Sequence, residues 1–529
     1  MIILKVFDIP IMLMSYIGAL KSWLYYPIFK IFGVSAYSIR IPMILCGCLS
    51  ILLVKEITTR HFNPRIAAIV MVLLAADSSF VTQTRVDQGP IVLALLISLG
   101  CMHYFVKMLT EVRSIYLWTI FGLCLAGIFN KLNFIWFINS FVLAALLVYG
   151  KEIRSGILLR YSSRAKFVYL AIFTGYLVCV AYFLTLSKVF GLIGTLKLAK
   201  LPERIYFVFF ELFLDQVKGS SFFNYALGNL HSDLSAYYSC FMLALVAIGL
   251  TIAFIKRREI DTSINKSCIF IATITILLFI QIIITAQAMA YWHVYVLFPF
   301  TTILCGYAIS CLAGHLVATC KMQYHVALSL IMATFIVYQV YMNSIYLNFY
   351  GKPEKSVLWS SVNNDLLAYT MKQPYTFVSA DWGIHNQLIT FSSRADKYIE
   401  ACYWLNRGTS FGDKYYYATA LLNNRLFQII QNTNKIPMKS YALLSENGFA
   451  AQKTWLSTIA LDPEKRYAFI LHSEESTYFR DARLNLFQQA SKTGITLKLE
   501  KTFIDGNGKI IFEIYHPTKT NPVSVEQPT

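Results

Sequence analysis

Charge is what this sequence has least of. Only 14% of its 529 residues are Asp, Glu, Lys or Arg, against about a quarter in an ordinary soluble chain. Acids are the scarcer sign, with 28 Asp and Glu against 46 Lys and Arg. Together with 57% hydrophobic residues and a mean hydropathy of +0.55, this excludes a disordered chain and a soluble globular enzyme. Metal-type spacing is also missing: no Cys-x-x-Cys and no Cys/His pattern occurs among the 11 cysteines. Ten of them precede residue 347, so the part after it, with Cys402 alone, holds no internal disulfide. Residues 1–4 are a short apolar tip and not a signal peptide of ordinary length. No Gly-rich phosphate fingerprint follows a strand-like segment, so no nucleotide site is read from a motif.

What is abundant is apolar sequence in long runs. A helix needs about 20 mostly apolar residues to cross the hydrocarbon core. Ten runs qualify, near 39–55, 67–83, 90–107, 116–130, 133–150, 167–187, 236–255, 267–287, 294–315 and 325–346. Residues 1–346 carry 26 Lys and Arg against 12 Asp and Glu; the remainder carries 20 against 16. The excess sits in alternate short loops, around Lys55–Arg65, Lys107–Arg113, Lys151–Lys166, Lys256–Lys266 and Lys321. The positive-inside rule makes those loops cytoplasmic. The net charge of +18 is then largely a topology signal and not a nucleic-acid footprint. The expected fold class is an α-helical polytopic membrane protein with a C-terminal extracytoplasmic α/β domain. Its divisions are an external segment with interfacial amphipathic helices over 1–34, a transmembrane domain over 35–346 and a soluble domain over 347–529.

In the soluble part, residues 375–381 read as a buried strand ending at Asp381, and 466–472 as a second strand. Residues 482–492 read as an amphipathic helix, and 498–515 as a hairpin turning at Asp505-Gly506-Asn507-Gly508. Strands mixed with helices predict a small Rossmann-like layer.

Candidate chemistry concentrates where acids survive among apolar runs. Between Ala76 and Pro90 stand Asp77, Arg85 and Asp87. An ionisable group such as Asp77 inside an apolar helix is costly, and is functional or paired. Arg85 and Asp87 are two apart and able to pair across a turn. The stretch is therefore either a helix-end salt bridge or a polar cluster handling a charged lipid headgroup and an acceptor. Near the start, residues 9–33 are apolar, aromatic in the middle and interrupted by Lys21, Pro27 and Lys30, as an interfacial helix is.

The order Tyr16-Ile-Gly-Ala-Leu-Lys-Ser-Trp23, Phe32-Gly33, Ser38-Ile-Arg-Ile-Pro42, Asp77-Ser-Ser-Phe80 and Thr84-Arg-Val-Asp-Gln-Gly-Pro90 resembles the protein O-mannosyltransferase-related (family 39) branch of the GT-C glycosyltransferases. Asn130-Lys131, Tyr291-Trp292-His293 and Asp381-Trp382-Gly383 add to the resemblance. It implies a sugar donor on a polyprenyl phosphate, an external carboxylate as general base on the acceptor hydroxyl, and inversion at the anomeric carbon. On that footing the catalytic candidates are Asp87 and Asp8, and the donor-phosphate candidates are Arg85, Lys131 and Lys21. The substrate-binding candidates are Asp77, Tyr16, Trp23 and His293; an interfacial histidine bonded to a neighbouring loop is the other reading of His293. The implied partners are the polyprenyl-phosphate-linked sugar, a lipid, glycan or protein acceptor, and the membrane, with no nucleic acid. The implied location is a bacterial inner membrane with the C-terminal domain in the periplasm.

One departure stands out. Family members have an extra first helix and an Asp-Glu pair in the first external loop; the residues before Tyr16 contain only Asp8. Related lipid A aminoarabinose transferases carry Glu-Lys-Pro-Pro-Leu where this chain has Tyr16-Ile-Gly-Ala-Leu20. The family's metal-binding Glu is unmatched, so no metal and no other cofactor is expected. The chain is expected to lack the first helix of its relatives through a misassigned or truncated start. The alternatives are a non-catalytic relative acting as a membrane scaffold, or an enzyme in which Asp8 or Asp87 serves as base. A lipid-linked sugar transporter is the competing class, although no internal repeat or matched pair of broken helices is seen.

Overall fold

The apolar runs become helices wherever the computed structural model describes them. It describes residues 4–6, 9–12, 17–87, 89–111, 113–158, 174, 200–226, 233–285, 288, 290–350, 361–381, 383–392, 394, 397–405, 466–477 and 480–519. The chain divides into two units, Met1–Asn348 and Phe349–Thr529.

The first described elements of the first unit are two short antiparallel strands, β1 (Leu4–Val6) and β2 (Ile9–Met12). Its helices are α1 (Leu20–Phe32), α2 (Ala36–His61), α3 (Pro64–Ala76), α4 (Ser78–Val86), α5 (Ile91–Thr110), α6 (Ser114–Asn130) and α7 (Ile135–Glu152). After these come α8 (Leu201–Tyr206), α9 (Asp233–Ile255), α10 (Thr262–Ile284), α11 (Phe298–Cys320) and α12 (Tyr324–Tyr350), with shorter turns between them. Seven helices among the described residues are long and apolar enough to span a membrane. The expected count of ten is not reproduced as ten such helices: two of the runs differ in form, and a third falls outside the described residues. The run at 67–83 is two helices, α3 and α4, bent by 57°. The run at 116–130 is an apolar helix, α6, shorter than a full span. The run at 167–187 lies, but for Thr174, outside the described residues.

Local chemistry explains the breaks. Asn63 caps α3 by accepting from the Ile66 amide at 2.9 Å, with Pro64 at the first helical position. Asp77 closes α3 and opens α4, accepting the Phe80 amide at 2.9 Å. A capping carboxylate satisfies amides that a bend leaves without helical partners. The α10 end is held by Arg204 from α8, which donates to the carbonyls of Ile282, Ile283, Thr285 and Ala288. Aromatic rings fill the core: Phe137 stacks with Phe141 and Phe300, and Phe105 packs on Phe141, Tyr149 and Phe270.

The second unit is a five-stranded mixed sheet in the order β4-β3-β5-β7-β6. The strands are β3 (Thr376–Ser379), β4 (Tyr398–Glu400), β5 (Tyr467–His472), β6 (Ile495–Ile504) and β7 (Ile510–Lys519). β3 is parallel to β4 and β5, while β7 is antiparallel to β5 and β6. One face buries Val378, Phe469 and Leu471 against Leu486 and Ala490 of the Arg480–Lys492 helix. The other buries Phe377, Ile470 and Phe512 against Leu366, Ile384 and Leu388. The β6–β7 hairpin turns at Asp505, whose carboxylate accepts from the amides of Asn507 and Lys509, with Gly508 at a φ of 81°. Asp381 follows β3 and lies beside His472 and Thr477; Trp382 is outside the described residues. The fold is therefore a polytopic helical membrane unit followed by an α/β unit.

Candidate functional site

The sequence that ends α4 and starts α5 forces a tight corner. Asp87 sits in the left-handed region at φ 44° and Gly89 at φ 70°, and Ile91 then begins α5. Asp tolerates that conformation better than most residues, and glycine adopts it freely. The Asp87 amide donates to the Gln83 carbonyl at 2.7 Å, closing α4. Its Oδ1 accepts the Val92 amide at 3.1 Å, and its Oδ2 accepts the Lys21 ammonium. The carboxylate thus joins α4, α5 and α1, and the residue is 7% exposed. The Lys21 side chain remains 27% exposed. One turn along α1, Tyr25 lies under the Lys21 ammonium, and burial together with Asp87 pushes its phenol well above the usual range.

A second cation is brought in by the turn after α6. Asn130 donates to the Pro90 carbonyl at 2.7 Å, which ties that turn to the start of α5. Lys131 pairs through its backbone with Ile17 in an isolated antiparallel bridge. Gly18 lets this strap close, because a Cβ there would stand 1.7 Å from the Phe129 carbonyl oxygen. Lys131 is 3% exposed, and its ammonium has no hydrogen-bond or ion-pair partner among the described residues. It lies against Gly89, where an added Cβ would be 3.7 Å from Nζ. Burial pushes the amine down to about 8, and Asp87 opposes that shift.

The other predicted residues fall as follows. Arg85 does not pair with Asp87, as the sequence allowed; it is exposed at the last turn of α4, and Lys21 takes the carboxylate instead. The left-handed corner carries the Asp87 backbone away from the helix that holds Arg85. Asp77 is a helix cap at the far end of α4 and lines a separate cavity of about 170 Å³ with Gln216, Tyr238 and Phe298. Trp23 packs on Phe129, with ring centroids 4.8 Å apart. His293 lies between Trp136 and Trp292, at 6.0 and 5.9 Å. Lys131 and Arg204 are both near enough to bear on it electrostatically. Asp8 and Tyr16 lie outside the described side chains. Lys21, Asp87 and Lys131 therefore come together, with His293 within electrostatic reach, while Arg85 is exposed and Asp77 caps the other end of α4.

Two residues escaped the sequence reading. Arg204, at the start of an aromatic stretch, ties α8 to the chain leading into Tyr291. Gln83, one turn before Asp87, accepts the Tyr291 hydroxyl at 3.3 Å. Neither had a signal in the sequence: Arg204 follows Glu203 and Lys200 in a charged patch that reads as a solvated loop, and Gln83 belongs to no charge or motif pattern. No group of three or more His, Cys, Asp or Glu among the described residues is placed to hold a metal.

Comparison with known proteins agrees with the fold. The profile of the dolichyl-phosphate-mannose-protein mannosyltransferase family matches residues 19–185, a stretch that includes Lys21, Asp87 and Lys131. The crystal structure of ArnT from Cupriavidus metallidurans in the apo state aligns with a TM-score of 0.52 at 11% identity, over 97% of this chain and 89% of that one. A structure of the same protein bound to undecaprenyl phosphate gives a TM-score of 0.49 at 12% identity, over 98% and 90%. No curated protein matches the sequence. The resemblance to the GT-C superfamily is borne out, and the fold is of the GT-C type.

Proposed function

Starting from a GT-C fold, we propose that this protein is a membrane glycosyltransferase. It moves a sugar from a polyprenyl-phosphate donor to an acceptor hydroxyl on the extracytoplasmic face. The observation that carries the reading is Lys131. A largely desolvated ammonium with no direct hydrogen-bond or ion-pair partner among the described residues, and only the nearby charge of Asp87 to offset its burial, is costly. An anion placed against it removes that cost, and the neighbouring Lys21 supplies a second ammonium. Two lysines around one corner form a site for a single phosphate on a lipid. The donor named by the matching family, dolichyl-phosphate-mannose, has that chemistry. The side follows from charge: the α4–α5 corner and the α6–α7 turn alternate with the basic loops that the positive-inside rule makes cytoplasmic.

The chemistry follows from the same groups. Asp87 accepts the proton of the acceptor hydroxyl as the oxygen attacks the anomeric carbon. The bond from that carbon to the phosphate oxygen breaks, and the polyprenyl phosphate leaves with the electron pair, its new charge met by Lys21 and Lys131. Displacement from the opposite face inverts the centre. His293, packed by Trp136 and Trp292, is the residue this reading assigns to a sugar or acceptor hydroxyl.

The test is transfer from radiolabelled polyprenyl-phosphate sugars to envelope acceptors by the purified full chain. Asp87→Asn should lose about 10²–10⁴-fold in rate, while Glu111→Gln, in an exposed loop pair with Arg113, should retain it. An Asp87→Asn variant with full activity would transfer the role to Asp8 or end the reading. No transfer from any donor by an intact chain would favour a scaffold.

A further inference from the structure

Asp87 occupies a contradictory position. It is the carboxylate available as base, yet its oxygen is spent on Lys21, one of the two cations assigned to the donor phosphate. A carboxylate locked in an ion pair is a poor proton acceptor, and an ammonium locked in the same pair is a poor phosphate ligand. Resting on the donor-site reading above, we infer that Asp87 is an internal competitor for the phosphate, and that donor binding releases it to act as base.

The local charges support this exchange. Without ligand the corner holds two ammonium groups and one carboxylate, so one positive charge is left over, and it lies on Lys131, which is buried and has no direct partner among the described residues. A polyprenyl phosphodiester brings one negative charge and makes the cluster neutral. The phosphate takes Lys131 first, because that cation has no partner to lose, and then draws Lys21 from Asp87. Lys21 has the freedom to follow, since its side chain is part exposed while the Asp87 side chain is 4% exposed and fixed by the Val92 amide. The released Oδ2 then faces the acceptor. When the acceptor proton moves to Asp87 and the departing phosphate gains a charge, one negative charge is lost and one gained. The cluster stays neutral throughout, which spares a buried site the cost of a net charge. The arrangement makes donor binding precede activation of the acceptor. It therefore guards against deprotonating water or acceptor when no sugar is present.

The test is equilibrium binding of undecaprenyl methyl phosphate, a phosphodiester, to the full-length protein in nanodiscs. The proteins compared are wild type, Asp87→Asn, Lys21→Met, the double variant and Lys131→Met. Asn keeps the oxygen that accepts the Val92 amide, so α5 stays capped. Asp87→Asn is expected to bind roughly tenfold tighter than wild type, although its transfer rate falls. Lys21→Met is expected to cost more in the Asp87→Asn background than in wild type, because in wild type its loss also removes the pair that phosphate must break. This cycle compares differences within folded variants, so a uniform loss of stability does not imitate it. Unchanged or weaker binding by Asp87→Asn, or additive effects in the cycle, overturns the competition while leaving the phosphate site standing. Failure of wild type to bind, or equal binding by Lys131→Met, overturns the donor-site reading and the competition with it.

Discussion

Lys131 concentrates the account at the scale of one residue. Its side chain is buried and its ammonium has no hydrogen-bond or ion-pair partner among the described residues, so replacing it by an apolar residue of similar length removes a cost. Lys131→Met should therefore raise the thermal midpoint of the ligand-free protein, by the equivalent of about 1–4 kcal/mol. It should also abolish stabilisation by added undecaprenyl phosphate. Thermal unfolding with and without the lipid checks both. The amine is pushed down to about 8 by burial, with Asp87 opposing. Phosphate affinity should accordingly fall as pH rises through about 8, as the amine loses its proton, and the same titration of Lys131→Met should be flat there. Between about 8 and the ordinary lysine range the unfolded chain holds a proton that the folded protein lacks, so this group's contribution to stability improves as pH rises. Lys131 was legible in the sequence as a cation between two apolar runs. Its partnership with Lys21 and Asp87 was not. Arg85, two residues from Asp87, was the nearer cation, and only the left-handed corner and the strap at Ile17 show that the distant lysines are the ones assembled.

Elements decide where those residues stand. The run at 67–83 has the composition of one span, but Asp77 divides it by capping the next helix. Asp77→Ala should lower stability by about 1 kcal/mol, and Asp77→Asn, which keeps an accepting oxygen, by less; denaturant or thermal unfolding in detergent measures the difference. Read along the chain alone, an acid in an apolar helix pointed to function. In space one of its oxygens serves a backbone amide, because a bent span exposes amides that need an acceptor. The strap is the second device. A Cβ at Gly18 collides with the Phe129 carbonyl, so Gly18→Ala should lift residues 17–18 from the α6–α7 turn. Lipid-phosphate binding should drop at least tenfold as Lys131 shifts, which a binding titration reads. Nothing in the sequence marked this contact, because it joins segments more than a hundred residues apart.

For the whole molecule, the positive-inside rule reads most of the +18 charge as an orientation signal, and that reading has its own test. Single cysteines placed at Arg113 or Lys256 in a cysteine-free chain should react with a membrane-impermeant maleimide only from the cytoplasmic side. Labelling from the other side would invert the topology and remove the extracytoplasmic reaction. The architecture was largely legible: apolar runs gave the helices, and alternating strands with an Asp-Gly-Asn-Gly turn gave the C-terminal sheet and hairpin. The sheet order was not legible, since β5 inserts beside β3 while β4 takes its other edge. That arrangement depends on long-range pairing that local pattern does not encode.

The central claim is that Lys131 and Lys21 form the donor-phosphate site. The most direct measurement is equilibrium binding of undecaprenyl phosphate to wild type and to Lys131→Met in the same nanodiscs. Wild type should bind saturably and Lys131→Met at least tenfold more weakly, with the variant no less stable than wild type. Equal affinity in the two proteins would contradict the claim.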